Sequence, residues 1–152
     1  MVELERGRIL IAEDDYLVSR MLQSLLIQRG YDVIGQASDG AAAISMTNEL
    51  KPDVVVMDVQ MPDINGVEAS RRIQELAPTP IVVLTAYERL DLVEMAADAG
   101  VGAYLVKPPN ARELERAIII ARARFEDLRK LRSLNQELSR ANEDLDAFSR
   151  TV

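Results

Sequence analysis

Asp53-Val-Val-Val-Met-Asp-Val-Gln-Met-Pro-Asp-Ile-Asn-Gly66 is the stretch around which the chain is read. Val54 to Met57 form a short, wholly apolar run rich in β-branched residues, bounded by Pro52 on one side and a polar loop on the other. That is the pattern of a strand buried on both faces of a parallel sheet. Asp58 follows directly, and open α/β sheets place their ligand sites at the carboxyl ends of such strands. Alone, Asp58 reads equally well as the start of a turn carried by Pro62 and Gly66. The flanking sequence separates the two readings.

Toward the N-terminus, Arg8 to Ala12 reads as a second buried strand, running into the acidic cluster Glu13, Asp14, Asp15. Leu17, Met21, Leu22, Leu25 and Leu26 then recur at helical spacing, and Gly30 is placed to end that helix in the left-handed conformation. Val33 to Ala37 make another strand, and Asp39 caps a helix that runs to Leu50 and stops before Pro52. Beyond the central loop, Val67 to Leu76 form a helix closed by Pro78 and Pro80. Ile81 to Thr85 is a strand, Arg89 to Ala99 a helix stopped by Gly100, and Ala103 to Val106 a strand ending at Lys107 before Pro108-Pro109. Strands alternating with helices across short connections predict a doubly wound, five-stranded parallel α/β sheet with helices on both faces.

From Asn110 to Val152 there is no Gly and no Pro, so one helix of roughly forty residues is predicted. Its apolar residues fall in two registers. Leu114, Ile118, Ala121, Phe125 and Leu128 suit a helix packed on the sheet, whereas Leu131, Leu134, Leu138, Ala141, Leu145, Phe148 and Val152 keep a heptad alternation. The seam changes phase near Leu128 to Leu131, where contact is expected to pass from the domain to the helix of a second copy.

Composition narrows the chemistry. The 152 residues include no cysteine and no histidine, which excludes disulfides, thiolate metal sites and Ser/His or Cys/His nucleophilic pairs. No apolar run reaches the length of a membrane span, and Met1-Val-Glu-Leu-Glu-Arg6 lacks the core of a signal peptide, so a cytoplasmic protein is expected. Residues 1–109 carry 9 basic and 17 acidic residues, residues 110–152 carry 9 and 8. An acidic globular part disfavours nucleic acid and suits a cation.

In a doubly wound sheet the carboxyl ends of all strands share one edge. Glu13 and Asp14, Asp58, Thr85 and Lys107 therefore converge on one crevice. Singly, each has a plainer reading as a capping acid, a polar strand end or a surface charge. Together, three carboxylates call for a hard divalent cation, Mg²⁺ or Mn²⁺, and the ammonium and hydroxyl suit an incoming phosphoryl group.

Ile9-Leu-Ile-Ala-Glu-Asp-Asp15, Met57-Asp-Val-Gln-Met-Pro62 with Gly66, Leu84-Thr-Ala86 and Tyr104-Leu-Val-Lys-Pro108 resemble the signature blocks of the receiver domain of two-component response regulators. The resemblance implies a flavodoxin-like (CheY-like) fold. It makes Asp58 the phosphoacceptor, attacking a phosphohistidine on a histidine kinase or phosphotransfer protein. Asp14, Asp58, the Gln60 backbone carbonyl and, through water, Glu13 would hold the metal, while Asp15 caps the first helix. Thr85 and Lys107 would contact the phosphoryl group and Ala86 would leave it room. Tyr104 would turn inward as Thr85 moves, and the Lys107–Pro108 bond would be cis. Gln60 and Tyr87 occupy positions that tune phosphoryl lifetime. Such a domain is a signalling phosphoacceptor that promotes only its own phosphorylation and dephosphorylation.

The expected organisation is a tail over residues 1–7, a receiver over 8–127 and a coiled-coil extension over 128–152. Leu134 to Val152 is similar to the linker entering the dimerisation helix of histidine kinases and ends just short of where the phosphorylated His would fall. A dimeric kinase output on a longer chain is the first expectation. An RNA-binding antiterminator is the second, with Arg122, Arg124, Arg129, Lys130 and Arg132 as phosphate contacts, although Glu126 and Asp127 interrupt that run.

Overall fold

Five parallel strands form one sheet in the order β2-β1-β3-β4-β5, where β1 is Arg8–Ala12, β2 Asp32–Ala37, β3 Val54–Asp58, β4 Ile81–Thr85 and β5 Ala103–Val106. The structure is a computed structural model and describes residues 6–86, 94, 95 and 97–151. Three helices, α1 (Tyr16–Gln28), α2 (Gly40–Leu50) and α3 (Gly66–Leu76), alternate with the first strands, and a long helix spans Ala111–Thr151. The helix expected over Arg89 to Ala99 lies mostly outside the described residues, of which Glu94, Met95, Ala97 and Asp98 are helical. Tyr87 and Val152 also lie outside them. No helix among the described residues is long and apolar enough to cross a membrane.

Alternation along the strands builds two cores. Leu10, Val55, Met57, Ile81 and Val83 face Ala43, Val67, Ala69 and Ile73 of α2 and α3. Ile9, Ile11, Val54, Val56, Val82 and Leu84 face Leu22 and Leu26 of α1 and Leu114, Ala117, Ile118 and Ala121 of the long helix. Successive side chains of a strand point to opposite faces, so strands covered on both sides must be apolar throughout. β3, at the centre, is buried at all five positions. This is a doubly wound, flavodoxin-like α/β sheet.

The helix ends follow the local chemistry of their caps. Asp15 accepts from the backbone N–H of Leu17 at 2.9 Å, Asp39 from Ala42 at 2.7 Å and Asn65 from Glu68 at 2.9 Å. Asn110 and Glu113 form a reciprocal box at the start of the long helix, with Asn110 Oδ1 accepting from Glu113 N at 2.8 Å. Gly30 follows α1 at φ 87°, a left-handed conformation that costs glycine little.

One apolar stripe is not where its periodicity suggests. Leu17 and Met21 of α1 are exposed, while Val18, Leu22, Leu25 and Leu26 pack against the core. Two stripes one residue apart satisfy the same helical period, and the sheet covers only one of them.

The long helix changes face along its length. Leu114, Ile118 and Ala121 are buried, whereas Leu128, Leu131, Leu134, Leu138, Leu145 and Phe148 are exposed. At roughly 100° per residue, the first heptad of the outer seam points about 140° away from the face that meets the sheet. Charged contacts hold the helix in that orientation. Arg6 and Arg29 both pair with Glu115, and Arg122 Nη1 donates to the Arg6 carbonyl at 2.6 Å. On the other flank, Arg124 Nη1 donates to the Gly102 carbonyl at 3.0 Å.

Candidate functional site

The parallel ladder continues past the strands and positions the residues at their ends. Glu13 N donates to the Ala37 carbonyl at 2.9 Å, Val59 N to Leu84 at 2.9 Å and Lys107 N to Thr85 at 2.8 Å. Glu13, Asp58, Thr85 and Lys107 are thereby held by backbone hydrogen bonds at one edge of the sheet. Asp58 lies opposite Leu84 and Thr85 opposite Val106, which puts three neighbouring strand ends side by side.

Lys107 Nζ donates to Asp58 Oδ2 at 2.8 Å and to both Glu13 oxygens at 3.1 and 3.2 Å. The carboxylates of Glu13, Asp14 and Asp58 bring one oxygen each to within 4.8 Å of one another. Glu13 and Asp58 are buried, whereas Asp14 is exposed at the mouth. Burial, then the hydrogen bond and charge of Asp58, push the Glu13 carboxyl up to about 7 against the opposing pull of Lys107. For Lys107, burial favours the neutral amine, but its contacts with Asp58 and Glu13 outweigh burial and raise its pKa. One ammonium faces three carboxylates, so the site retains negative charge. Clustered hard oxygens and a buried carboxyl under strain to stay ionised fit a divalent cation such as Mg²⁺.

The remaining expected residues surround this group. Thr85 is buried at the end of β4, and Ala86 follows it at the surface. Tyr104, on β5 opposite Val83, is half-buried against the α2–α3 core. The Lys107–Pro108 peptide bond is cis. Gln60 is exposed, and its contribution includes a backbone one that was not anticipated: Gln60 N donates to Asp58 Oδ1 at 3.2 Å. Both Asp58 oxygens thus have a donor.

Gly66 is a second support that residue chemistry alone does not suggest. A Cβ there would lie 2.2 Å from the Asp58 carbonyl oxygen, and Gly66 N donates to the Val59 carbonyl at 2.8 Å. The loop after Asp58 therefore closes back on the aspartate's own backbone. In the sequence, Gly66 stands out through its spacing from Asp58, as turn chemistry and as the close of the receiver-like block that begins at Met57.

Of the basic residues considered for nucleic acid, Arg122 and Arg124 are occupied by backbone carbonyls. Arg129 and Arg132 line a groove of about 610 Å³ at the root of the long helix, together with Arg71, Phe125 and Leu128. That groove contains none of Glu13, Asp14, Asp58, Thr85 and Lys107.

Comparison with known proteins agrees with this geometry. Residues 9–119 match the family model of the response regulator receiver domain. The chain is 43% identical over 139 residues to the transcriptional regulatory protein PdtaR of Mycobacterium tuberculosis, covering 91% of this chain and 66% of that protein's length. It is 37% identical over 102 residues to the chemotaxis protein CheY of Thermotoga maritima, covering 66% of this chain and 85% of CheY. Among solved structures, the signal receiver domain of the response regulator NarL from Mycobacterium tuberculosis superposes with a TM-score of 0.71 at 27% identity, covering 76% of this chain and 95% of that domain. Receiver domains are signalling modules with a phosphodonor partner such as a histidine kinase. With its sheet, its acidic edge and these relatives in agreement, the chain belongs to the response regulator receiver domain family.

Proposed function

We propose that this chain is a phosphoacceptor that takes a phosphoryl group from a phosphohistidine onto Asp58 and passes the change to a dimeric output through its long helix. The observation that carries the reading is Lys107 Nζ at 2.8 Å from Asp58 Oδ2, in a site where Glu13 and Asp14 bring further carboxylate oxygens to within 4.8 Å. An Asp58 oxygen attacks phosphorus, the P–N bond of the donor breaks, and an aspartyl phosphate forms. Mg²⁺ or Mn²⁺, held by Asp14, Asp58, the Gln60 carbonyl and Glu13, would neutralise phosphoryl oxygens when bound. Lys107 supplies the fixed positive charge, Thr85 a hydroxyl donor, and Ala86 leaves space beside Asp58. Movement of Thr85 toward the new anion draws Tyr104 inward on the neighbouring strand, a two-state change biased by one charge.

The test is direct. Incubated with Mg²⁺ and acetyl phosphate or phosphoramidate, the wild-type protein gains the mass of one phosphoryl group and Asp58→Asn does not. An unchanged intact mass for fresh wild-type protein would sink the mechanism.

For the output, control of transcription has the specific support. The likeness to a transcriptional regulatory protein runs over 91% of this chain, well past residue 119 where the receiver match ends. An RNA-binding antiterminator is the form of that output considered from the sequence; of its five candidate phosphate contacts, Arg129, Lys130 and Arg132 are exposed, while Arg122 and Arg124 donate to backbone carbonyls. The histidine kinase output rests on the coil sequence alone. Sequencing the gene past the codon for Val152 separates the two: His-Asp or His-Glu within a few residues, followed by an ATP-binding domain, identifies the kinase.

A further inference from the structure

The turn from β2 to α2 contributes no side chain to the acidic cluster, yet it supports that cluster from two directions. At its start the Ala37 carbonyl accepts from Glu13 N at 2.9 Å, which fixes the residue that follows β1. At its far end Asp39 caps α2, and Gly40 opens the helix, buried against the loop that follows Asp58. A Cβ on Gly40 would lie 2.5 Å from the Ile64 carbonyl oxygen and 2.8 Å from Ile64 Cβ. Gly40 is not among the glycines with a positive φ, so no left-handed backbone calls for glycine there. At such a position alanine ordinarily stabilises, since it favours the helix and restricts the unfolded chain. The missing side chain is accounted for by the space that Ile64 occupies.

The loop from Val59 to Asn65 has little slack. Its first residues belong to the site, with Val59 N donating to the Leu84 carbonyl and Gln60 N to Asp58 Oδ1. Met61 and Ile64 are its apolar anchors, packed in the core that the sheet shares with α2 and α3. Between them the Pro62 ring fixes one φ, Asp63 stands at φ 66°, and Ile64 N donates to the Pro62 carbonyl at 2.8 Å. That is a tight three-residue turn. On the other side of Ile64, Gly66 lies against the Asp58 carbonyl with no room for a Cβ. A push on Ile64 is therefore absorbed on neither side and is carried along the loop to Gln60.

Building on the metal and phosphoryl reading above, we infer that Gly40 is a positioning residue for that site: by leaving room for Ile64, it sets where the loop presents Gln60 to Asp58. Two groups depend on that placement, the Gln60 amide that donates to Asp58 Oδ1 and the Gln60 carbonyl assigned above to the ion. Glu13 is held from the same turn through the Ala37 carbonyl, so one connection that touches neither ion nor phosphoryl group supports both the Glu13 and the Asp58 sides.

The test compares Gly40→Ala with the wild-type protein. In calorimetric titration its Mg²⁺ affinity falls about tenfold, the scale on which metal sites lose affinity when an outer support is removed. In amide NMR spectra of the metal-free proteins the Gln60 resonance moves, while that of Gly102, at the opposite end of the sheet, stays in place. A role in packing alone would change the urea midpoint and leave both readouts of the folded protein at their wild-type values, and that result overturns the inference. If Gly40→Ala does not fold, Ile64→Ala carries the test, because Ile64 is only half-buried and its truncation leaves α2 untouched. Wild-type Mg²⁺ affinity and an unmoved Gln60 amide in Ile64→Ala overturn the inference equally. Wild-type protein that binds no Mg²⁺ and gains no phosphoryl group overturns the reading of the site itself, whereas wild-type binding matched by Gly40→Ala overturns only the role of Gly40.

Discussion

At the scale of the residue, the site is set by how few charges must balance. Glu13, raised to about 7, is protonated below that pH and ionised above it. A divalent cation needs the ionised form, so Mg²⁺ affinity falls as the pH drops through 7. Titration calorimetry at pH 6 and pH 8 is expected to show tighter binding at pH 8, and Glu13→Gln to flatten the difference. The same shift has the opposite sign for the metal-free fold. A carboxyl whose folded pKa exceeds its ordinary 4.5 contributes stability below pH 4.5 and loses it as the pH rises toward 7. Gly66 is the other residue on which the site depends. In Gly66→Ala the new Cβ must displace the Asp58 backbone, at a cost of about 2–3 kcal/mol in urea unfolding. Phosphoryl acceptance should fall with it. The identities of Glu13, Asp58 and Lys107 were legible because topology puts all strand ends on one edge. The donation from Gln60 N was not, since a backbone donor leaves no mark on residue type.

At the scale of the element, strands were read more surely than helix faces. β1, β4 and β5 have the bounds expected from their apolar runs, although only β4 is buried throughout and β5, at the edge of the sheet, is half-buried to exposed. In α1 the helical period holds, but Leu17 and Met21 share it without facing the sheet. The long helix was legible as a break in phase, since Phe125, Leu128, Leu131 and Leu134 step by three and turn the stripe off the domain. Its exposed leucines lead to a prediction for the element alone. Polar substitution of Leu138 and Leu145 together should convert a micromolar dimer to monomer in light scattering, with far-UV signal and phosphoryl acceptance at Asp58 retained. Wild-type protein that is already monomeric at that concentration would show the seam to be insufficient by itself.

At the scale of the whole molecule, the acidic site and the outward helix occupy one body. Binding of Mg²⁺ to the folded form alone should raise the melting temperature, by an amount equivalent to about 2.7 kcal/mol when the ion is a hundredfold above its dissociation constant. Chelation should reverse the rise, and Asp14→Asn should show little of it. That comparison separates a specific site from general screening of an acidic surface. Arg6, Arg29 and Glu115 on one flank and Arg124 with Gly102 on the other tie the root of the long helix to the domain. On the proposed function the helix would work as a lever with its fulcrum in the domain. The described helix beyond Leu128, which ends at Thr151, extends about 35 Å at about 1.5 Å per residue, so a tilt of about 5° at the fulcrum would sweep its far end through about 3 Å. On the proposed function, a tilt of that size would carry a change at Asp58 to the far end of the helix as a shift of about half a helical turn.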